Sequence, residues 1–165
     1  MINDAILLVG GNLDNRLTKY DKLYVLLEQN VGQILKKSSF YQSEPWGFES
    51  KNLFINQAIW LKTTFNPQQL LIQCQQIEKA MGRLKHQTNH YEDRVMDIDI
   101  IFFNQEVINE ANLTIPHAKM AQRKFVLLPL REICPLYFHK VLNKTVEELL
   151  NICEDMSDIQ KIKLL

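Results

Sequence analysis

The order of strand-like and helix-like segments predicts an α+β fold for this chain. Four short apolar runs rich in β-branched and aromatic residues alternate with two amphipathic segments as strand, helix, strand, strand, helix, strand. Hairpin-length or helical connections join these runs, so we expect antiparallel pairing with the helices packed on one face. The 165 residues, 46% of them hydrophobic, suit a single domain over residues 1–165. The prediction is a ferredoxin-like βαββαβ core, an antiparallel sheet with helices packed against it, plus C-terminal additions.

The first half of this core is a strand, a helix and a second strand. The apolar run Ala5–Val9 stops at Gly10-Gly11-Asn12, which is typical of a buried strand followed by a tight turn. A helix follows and ends near Asn30 and Gly32, with apolar residues at helical spacing: Leu17, Tyr20, Leu23, Tyr24 and Leu27. Its successor, Ile34–Tyr41, is predicted to be a strand.

The second half is a strand, a helix and a last strand. Residues 54–64 and 96–103 have strand composition. Between the first of these strands and the preceding one, residues 42–52 form a long loop with aromatic side chains, and such loops tend to be functional. Asn66-Pro67 is a strong helix start, because Asn is a good N-cap and Pro suits the first helical position; Gly82 ends this helix. Residues 83–93 are polar and basic, and we expect a mobile loop there.

The C-terminal third supplies the additions to the core. A short helical turn is expected from Pro116, residues 125–130 are apolar, and Thr145–Leu150 reads as a capped helix.

Composition limits the partners and the compartment. Nineteen basic residues balance nineteen acidic ones, so no overall charge attracts nucleic acid or an anionic membrane, and we expect small-molecule partners and a monomer. The three cysteines lack metal-ligand spacing and are an odd number, which favours buried thiols in a reducing compartment. The N-terminal apolar run is too short for a signal or membrane segment. These features predict a cytoplasmic protein.

Two carboxylates interrupt one of the most apolar runs of the chain. Residues two apart in a strand share a face, so Asp97 and Asp99 project together at a backbone separation of about 7 Å. We expect Ile101 and Phe103 to continue this face, and the intervening isoleucines to point into the opposite layer. Two like charges at 4 Å cost roughly 4 kcal/mol in a dielectric of about 20, so a cation must neutralise them.

Two kinds of cation fit. Arg94 could form a structural salt bridge, or the pair could hold Mg²⁺, which takes hard oxygen ligands and is usually bound by one or two carboxylates together with water and substrate phosphates. Other basic side chains that suit polyphosphate oxygens flank the pair: Arg83, Lys85, His117, Lys119, Arg123 and Lys124. This setting favours the metal, and His117 is interpreted as a phosphate contact.

The chain has no GxxxxGK[ST] loop and no GxGxxG pattern, so neither a P-loop nor a dinucleotide-binding fold is predicted. Asn56 and the Pro45-Trp46-Gly47-Phe48 loop offer amide hydrogen bonds and aromatic surface, which suit a flat heterocycle. Two alternatives remain open from the residues alone. One is a nucleic-acid-binding ferredoxin-like module, and the other is a two-metal nucleotidyltransferase that releases pyrophosphate.

Several stretches together resemble a known family, the 6-hydroxymethyl-7,8-dihydropterin pyrophosphokinases of folate biosynthesis. The matching residues are Gly10–Leu13, Ser38–Tyr41, Glu44–Gly47, Phe54–Asn56, Gln76–Glu78, Gly82-Arg83, Arg94–Ile100, Pro116-His117 and Arg123–Leu127. The resemblance covers nearly the whole chain and implies a ferredoxin-like fold. It also implies transfer of the β,γ-diphosphate of ATP to a pterin hydroxymethyl group, with AMP as the second product.

The resemblance assigns roles to individual residues. Asp97 and Asp99 would bind two Mg²⁺ ions, with Arg83 and Arg94 stabilising charge during transfer. The ATP contacts would be Gln75, Glu78, Lys85, Tyr91, Ile98, Thr114, His117 and Arg123, and the pterin contacts would be Ser43, Pro45, Trp46, Phe54, Asn56 and Phe125. Residues 10–14, 43–52 and 85–93 would close over the substrates. The sequence departs from the commoner family pattern at Gly11, where Ser is usual, at Tyr91-Glu92-Asp93 and at Ala118.

Overall fold

The computed structural model describes residues 1–82 and 92–165. The strands are β1 (Asn3–Gly11), β2 (Gly32–Lys37), β3 (Phe40–Ser43), β4 (Phe54–Thr63), β5 (Asp97–Phe103), β6 (Ile108–Glu110), β7 (Leu113–Ile115), β8 (Phe138–His139), β9 (Lys144–Thr145) and β10 (Gln160–Ile162). The helices are α1 (Leu17–Asn30), α2 (Pro67–Ala80), α3 (Lys124–Ile133) and α4 (Val146–Ile152), with a 3-10 turn at Met120–Gln122.

The main sheet is antiparallel, as the sequence predicts. Its strands run β10-β3-β4-β1-β5, and β2 also pairs with β4. With α1 and α2 as the two crossovers, this order is the ferredoxin-like arrangement.

The predicted strand Ile34–Tyr41 is divided into β2 and β3. The division falls at Ser38, whose backbone N–H donates to Ala58 O at 2.9 Å while its side-chain Oγ accepts from Ala58 N at 2.9 Å. The Ser38 hydroxyl therefore accepts a hydrogen bond that a backbone carbonyl would accept in a regular pairing of two strands. The Ser38 carbonyl turns to the side-chain amide of Gln57, at 2.7 Å from its Nε2.

Helices cover both faces of the sheet, whereas the sequence predicted helices on one face. The helices α1 and α2 pack with Ala5, Leu7 and Val9 of β1, and α3 and α4 pack with Ile6 and Leu8. Because β1 is apolar on both faces, each face needs a cover to exclude water. The predicted helices at Asn66-Pro67 and Thr145 are confirmed, and both begin with a capping box.

A register shift in β5 alters the predicted alternation of its faces. Leu7 pairs with Ile100 and Ile6 pairs with Phe102, so one residue of β5 bulges between them. Ile101 packs on the α3 side as predicted, but Phe103 packs with α1 and α2, and Phe102 takes the α3 side. The predicted position of Phe103 is therefore wrong, because the bulge reverses the side of the sheet that the residues after it face.

Among residues 1–82 and 92–165, the structure contains no helix with the length and hydrophobicity of a membrane span.

Candidate active site

The site lies where the start of β5 meets the ends of the central strands. In the sheet, Gly10 of β1 pairs with Asn56 on one side and with Asp97 on the other, and Asn56 pairs with Tyr41 of β3. This register brings residues from four strands to one edge of the molecule. Two depressions open there.

The first depression, here called the apolar recess, is walled by aromatic rings. The Trp46 and Phe125 ring centroids are 6.1 Å apart, and Phe48 packs edge-on to Phe54 at 5.9 Å. The recess is lined by Leu8, Gly10, Ser43, Glu44, Trp46, Phe48, Phe54, Asn56, Arg94, Asp97, Asp99, Arg123 and Phe125. Aromatic faces with a few polar groups, here Ser43 and Asn56, suit a flat heterocycle that carries hydrogen-bonding edges.

The second depression, here called the polar groove, runs along the outer edge of β5. Helix α2, the β6–β7 hairpin and the segment after it supply its other walls. Its lining includes Leu71, Gln75, Glu78, Arg94, Asp97, Ile98, Asp99, Ile100, Thr114, His117, Lys119 and Arg123. Four residues line both depressions, namely Arg94, Asp97, Asp99 and Arg123. A ligand in the recess and a ligand in the groove would therefore meet at two carboxylates and two guanidinium groups.

Burial and neighbouring charges together set the electrostatics at this junction. Burial raises the pKa of Asp99 well above its usual range, and the charges of Asp97 and Glu78 raise it further against the opposing effect of Arg123 and Arg94. Arg94 Nη1 donates to Asp97 Oδ2 at 2.8 Å. The salt bridge predicted as one alternative is therefore present at Asp97, but it leaves Asp99 in an environment that disfavours its charge. A divalent cation would reverse this preference.

Two polar residues of the groove have defined hydrogen bonds. Glu78 is buried, and its Oε1 accepts from the backbone N–H of Ile98 at 2.8 Å. His117 Nδ1 accepts from the backbone N–H of Lys119 at 3.3 Å, which leaves Nε2 as the donor. Burial, and then the charge of Arg123, lower the pKa of His117. The imidazole is therefore neutral near pH 7 and acts as a hydrogen-bond donor.

The family is settled by a model described as 7,8-dihydro-6-hydroxymethylpterin-pyrophosphokinase (HPPK), which matches residues 6–135. The chain belongs to the HPPK family. A 2-amino-4-hydroxy-6-hydroxymethyldihydropteridine pyrophosphokinase of Bacillus subtilis is 39% identical over 135 residues, which are 81% of this chain and 80% of that relative. The enzyme of the same name from Aquifex aeolicus is 34% identical over 140 residues, 85% of this chain and 86% of the relative.

A solved structure confirms the fold. The crystal structure of wild-type Plasmodium falciparum HPPK-DHPS with pteroate superposes with a TM-score of 0.74 at 20% identity. The match covers 92% of this chain and 42% of that longer chain. At this identity the likeness bears on the fold alone, and it agrees with the ferredoxin-like core.

Most of the residues assigned from the HPPK resemblance lie together. The predicted pterin contacts that line the apolar recess are Ser43, Trp46, Phe54, Asn56 and Phe125. The predicted ATP contacts that line the polar groove are Gln75, Glu78, Ile98, Thr114, His117 and Arg123. Pro45 lines neither, and lines a third, neighbouring depression together with Leu53, Ser157, Asp158 and Gln160. Arg83, Lys85, Tyr91 and most of the loop predicted to be mobile lie outside the described residues.

The sequence reading missed a set of loop contacts around Arg94. Asn12 is buried and binds the Arg94 backbone in both directions, with Arg94 N donating to Asn12 Oδ1 at 2.8 Å and Asn12 N donating to Arg94 O at 2.9 Å. Asn12 Nδ2 also donates to Asp93 Oδ1 at 2.6 Å, and Asn52 donates to the other oxygen of Asp93 at 3.2 Å. The available signal was the position of Asn12 directly after Gly10-Gly11, but Asp93 and Arg94, which Asn12 contacts, lie about 80 residues away in the chain.

Proposed function

We propose that this HPPK-family protein transfers the β,γ-diphosphate of ATP to the hydroxymethyl group of 6-hydroxymethyl-7,8-dihydropterin, giving the pterin diphosphate and AMP. Family membership over residues 6–135 supports the activity. The geometric observation that supports it is that the apolar recess and the polar groove share one wall, formed by Arg94, Asp97, Asp99 and Arg123. Such a wall lets a heterocycle and a triphosphate meet at one charged point.

The apolar recess is the proposed pterin site. The pterin ring lies between Phe54 and Phe125, with its amide edge toward Ser43 and Asn56. Trp46 and Phe48 provide further apolar surface on the loop that precedes β4. Pro45 acts through the position of this loop, since it does not line the recess.

The polar groove is the proposed ATP site. Gln75 and Glu78 of α2, Thr114 of β7, Ile98, His117 and Arg123 contact the nucleotide there. The neutral imidazole of His117 can donate to a phosphate oxygen without a charge of its own. Arg83, Lys85 and Tyr91 would approach from the segment outside the described residues.

The donor set at the junction fits Mg²⁺. Asp97 and Asp99 are hard oxygen donors, and burial together with the charges of Asp97 and Glu78 raises the pKa of Asp99, an effect that a bound cation would oppose. Within residues 1–82 and 92–165, no group of three His, Cys, Asp or Glu side chains could hold a metal by itself. Asp97 and Asp99 would hold the two proposed ions, with water and phosphate oxygens as the other donors. When bound, Mg²⁺ supplies neutralisation of the phosphate charge.

The chain's own residues then position the reactants. The pterin hydroxyl oxygen forms a bond to the β-phosphorus, the bond from that phosphorus to the α-phosphate oxygen breaks, and AMP leaves. Arg94 and Arg123, at the wall between the two sites, stabilise the charge that develops during the transfer. The hydroxyl proton passes to solvent, and catalysis depends on placement and electrostatics.

The test is product identity. The protein is incubated with ATP, Mg²⁺ and 6-hydroxymethyl-7,8-dihydropterin, and the nucleotide products are separated by chromatography. AMP formed in equal amount to pterin diphosphate supports the proposal. Release of pyrophosphate would indicate a nucleotidyltransferase, and release of ADP would indicate transfer of a single phosphoryl group, so either result contradicts it.

We also propose that the chain acts as a monomeric, single-domain enzyme in the cytoplasm. Its cysteines are free thiols, with Cys74 and Cys134 buried, which fits a reducing compartment. Sedimentation equilibrium tests the monomer directly. A concentration-dependent mass would contradict it.

A further inference from the structure

The backbone that carries Arg94 lies unusually close to β1. A Cβ atom built on Gly11 would stand 2.2 Å from Val95 O and 2.6 Å from Arg94 O. Both contacts are far shorter than real Cβ contacts and both are with backbone, so any larger residue at position 11 must displace the Arg94-Val95 segment. The close approach gives this glycine a physical reason.

The carbonyl groups of this segment are held by hydrogen bonds from the chain after Gly11. Arg94 O accepts from the backbone N–H groups of Asn12 at 2.9 Å and Leu13 at 3.1 Å. Val95 O accepts from Lys19 Nζ at 2.9 Å. The two consecutive carbonyls are therefore fixed by different donors. Backbone N–H groups of the loop bind the carbonyl of Arg94, and a side chain of α1 binds the carbonyl of Val95.

Lys19 is a buried cation without a place in the proposed chemistry. Its side chain is only 5% exposed, and Nζ donates to Leu13 O at 3.0 Å and Asn15 Oδ1 at 2.9 Å in addition to Val95 O. Three oxygen acceptors use all three N–H bonds of an ammonium group, whereas a neutral amine would leave one acceptor unpaired. Burial lowers the pKa of Lys19 to about 8, so the ammonium form still predominates at pH 7.

We propose that Gly11 and Lys19 are positioning residues that set the place of Arg94 at the wall between the apolar recess and the polar groove. Neither residue lines either depression. Their effect on turnover must therefore pass through the Arg94-Val95 backbone, from which the Arg94 guanidinium reaches Asp97. This inference rests on the role proposed above for Arg94.

Four variants test whether Gly11 and Lys19 position Arg94, and two of the four are matched controls. Gly11→Ala pushes the segment away and Lys19→Met removes the ammonium while keeping an apolar side chain of similar length. Gly32→Ala is the control for a clashing methyl group, since its Cβ would stand 1.8 Å from Lys62 O in the same sheet but away from both depressions. Lys22→Met is the control for a lysine of α1, because Lys22 is exposed and donates to Ala80 O at 3.3 Å.

The expected result is a separation of kcat from KM. A shift of about 1 Å at Arg94 lowers kcat by about 10- to 100-fold in Gly11→Ala and Lys19→Met, with little change in KM for ATP. Gly32→Ala lowers the melting temperature but leaves kcat per folded molecule unchanged, and Lys22→Met changes neither. The folded fraction is measured by circular dichroism. Lys19→Gln, which keeps two N–H donors, replaces Lys19→Met if the latter does not fold.

A double-mutant cycle decides whether the effect passes through Arg94. If Lys19 acts by placing Arg94, Lys19→Met adds no further loss of kcat in the Arg94→Ala background. Equal losses in both backgrounds would overturn the inference, as would wild-type kcat in both Gly11→Ala and Lys19→Met while Arg94→Ala is impaired. Wild-type kcat in Arg94→Ala itself would refute the proposed role of Arg94 and the inference with it.

Discussion

At the scale of single residues, Asp97 and Asp99 show how an energetically unfavourable pair of charges can mark a binding site. Their spacing in β5 places both carboxylates on the α3 side of the sheet, and the charge of Glu78 on α2 also acts on Asp99. Burial and like charge both disfavour ionised Asp99 in the protein without ligands. Strand β5 keeps the two carboxylates together although their repulsion lowers the stability of the folded protein. Residues that serve binding commonly show this pattern.

Asp99→Asn should therefore separate stability from activity. Loss of the charge removes the repulsion with Asp97 and Glu78, so the ligand-free variant should melt higher, by about 2–4 °C for each kcal/mol regained. Turnover should fall by about 10²- to 10³-fold, as when one electrostatic group is removed from a transition-state site. Differential scanning calorimetry and the AMP assay provide the two readings. Full turnover in this variant would contradict the proposed metal site.

Arg94→Ala should slow the chemical step more than it weakens ATP binding. Arg94 lies at the wall between the two depressions, where the proposed transfer develops charge, and it is one of several polar residues along the polar groove. Single-turnover rates should fall while the dissociation constant for a non-hydrolysable ATP analogue changes little. Parallel losses in both quantities would assign Arg94 to ground-state binding instead.

Residue spacing predicted the acidic pair and not its surroundings. The D-x-D pattern lies within one strand, so strand geometry alone places both side chains on one face. The contacts of Asn12, Lys19 and Gly11 with residues 93–95 join segments about 80 residues apart. Local patterns carry no information on such contacts, because they depend on how the loops after β1 and before β5 meet.

At the scale of elements, the strands and helices with clear signals were the ones predicted. Asn66-Pro67 and the Thr145–Glu148 pair are local caps, and both begin helices in the structure. In contrast, α3 was predicted only as an apolar run, because residues 125–130 are an unbroken apolar stretch and Pro129 lies inside the helix. Periodicity cannot distinguish such a buried helix from a buried strand.

Glu132 of α3 pins this helix to the sheet and gives a pH-dependent test. Its carboxylate accepts from the Ser39 backbone N–H and Oγ, both at 2.9 Å, and from the Tyr41 hydroxyl at 2.7 Å. Burial raises the pKa of Glu132, but these donors outweigh it and the pKa lies below its usual value. A depressed carboxyl pKa stabilises the folded state above the unfolded-state pKa, and that stability is lost as the pH falls through the folded-state value.

Glu132→Gln should thus be less stable than the wild type at pH 7 and of similar stability in acid. Because Glu132 is exposed to solvent and Gln keeps an acceptor oxygen, the difference at pH 7 should be about 0.5–1 kcal/mol. The measurement is urea unfolding at pH 7 and below pH 4. A constant difference at both pH values would show that the charge of Glu132 does not matter.

At the scale of the whole molecule, the two depressions draw on nearly every part of the core. Strands β1, β3, β4 and β5 meet at the apolar recess, and α2, β5 and the β6–β7 hairpin form the polar groove. Binding at either depression therefore favours the folded state of the whole sheet. Ligand binding and global stability should be linked.

A non-hydrolysable ATP analogue with Mg²⁺ should raise the melting temperature of the whole protein. At a free concentration of 100 times its dissociation constant, it adds about 2.7 kcal/mol to the free energy of unfolding. The shift should be lost when Mg²⁺ is chelated and when both aspartates are replaced by asparagine. An equal shift without Mg²⁺ would count against a metal held by Asp97 and Asp99.

The bond between Glu78 and Ile98 also bears on how molecules of this protein meet one another. Within residues 1–82 and 92–165, β5 is the last strand on its side of the main sheet, and the unpaired N–H groups of an edge strand can bind a strand from a neighbouring chain. A carboxylate from α2 already occupies one of these donors and places negative charge beside the border. This hydrogen bond removes one donor from the border, and negative charge beside an edge strand disfavours its pairing with a strand from another molecule.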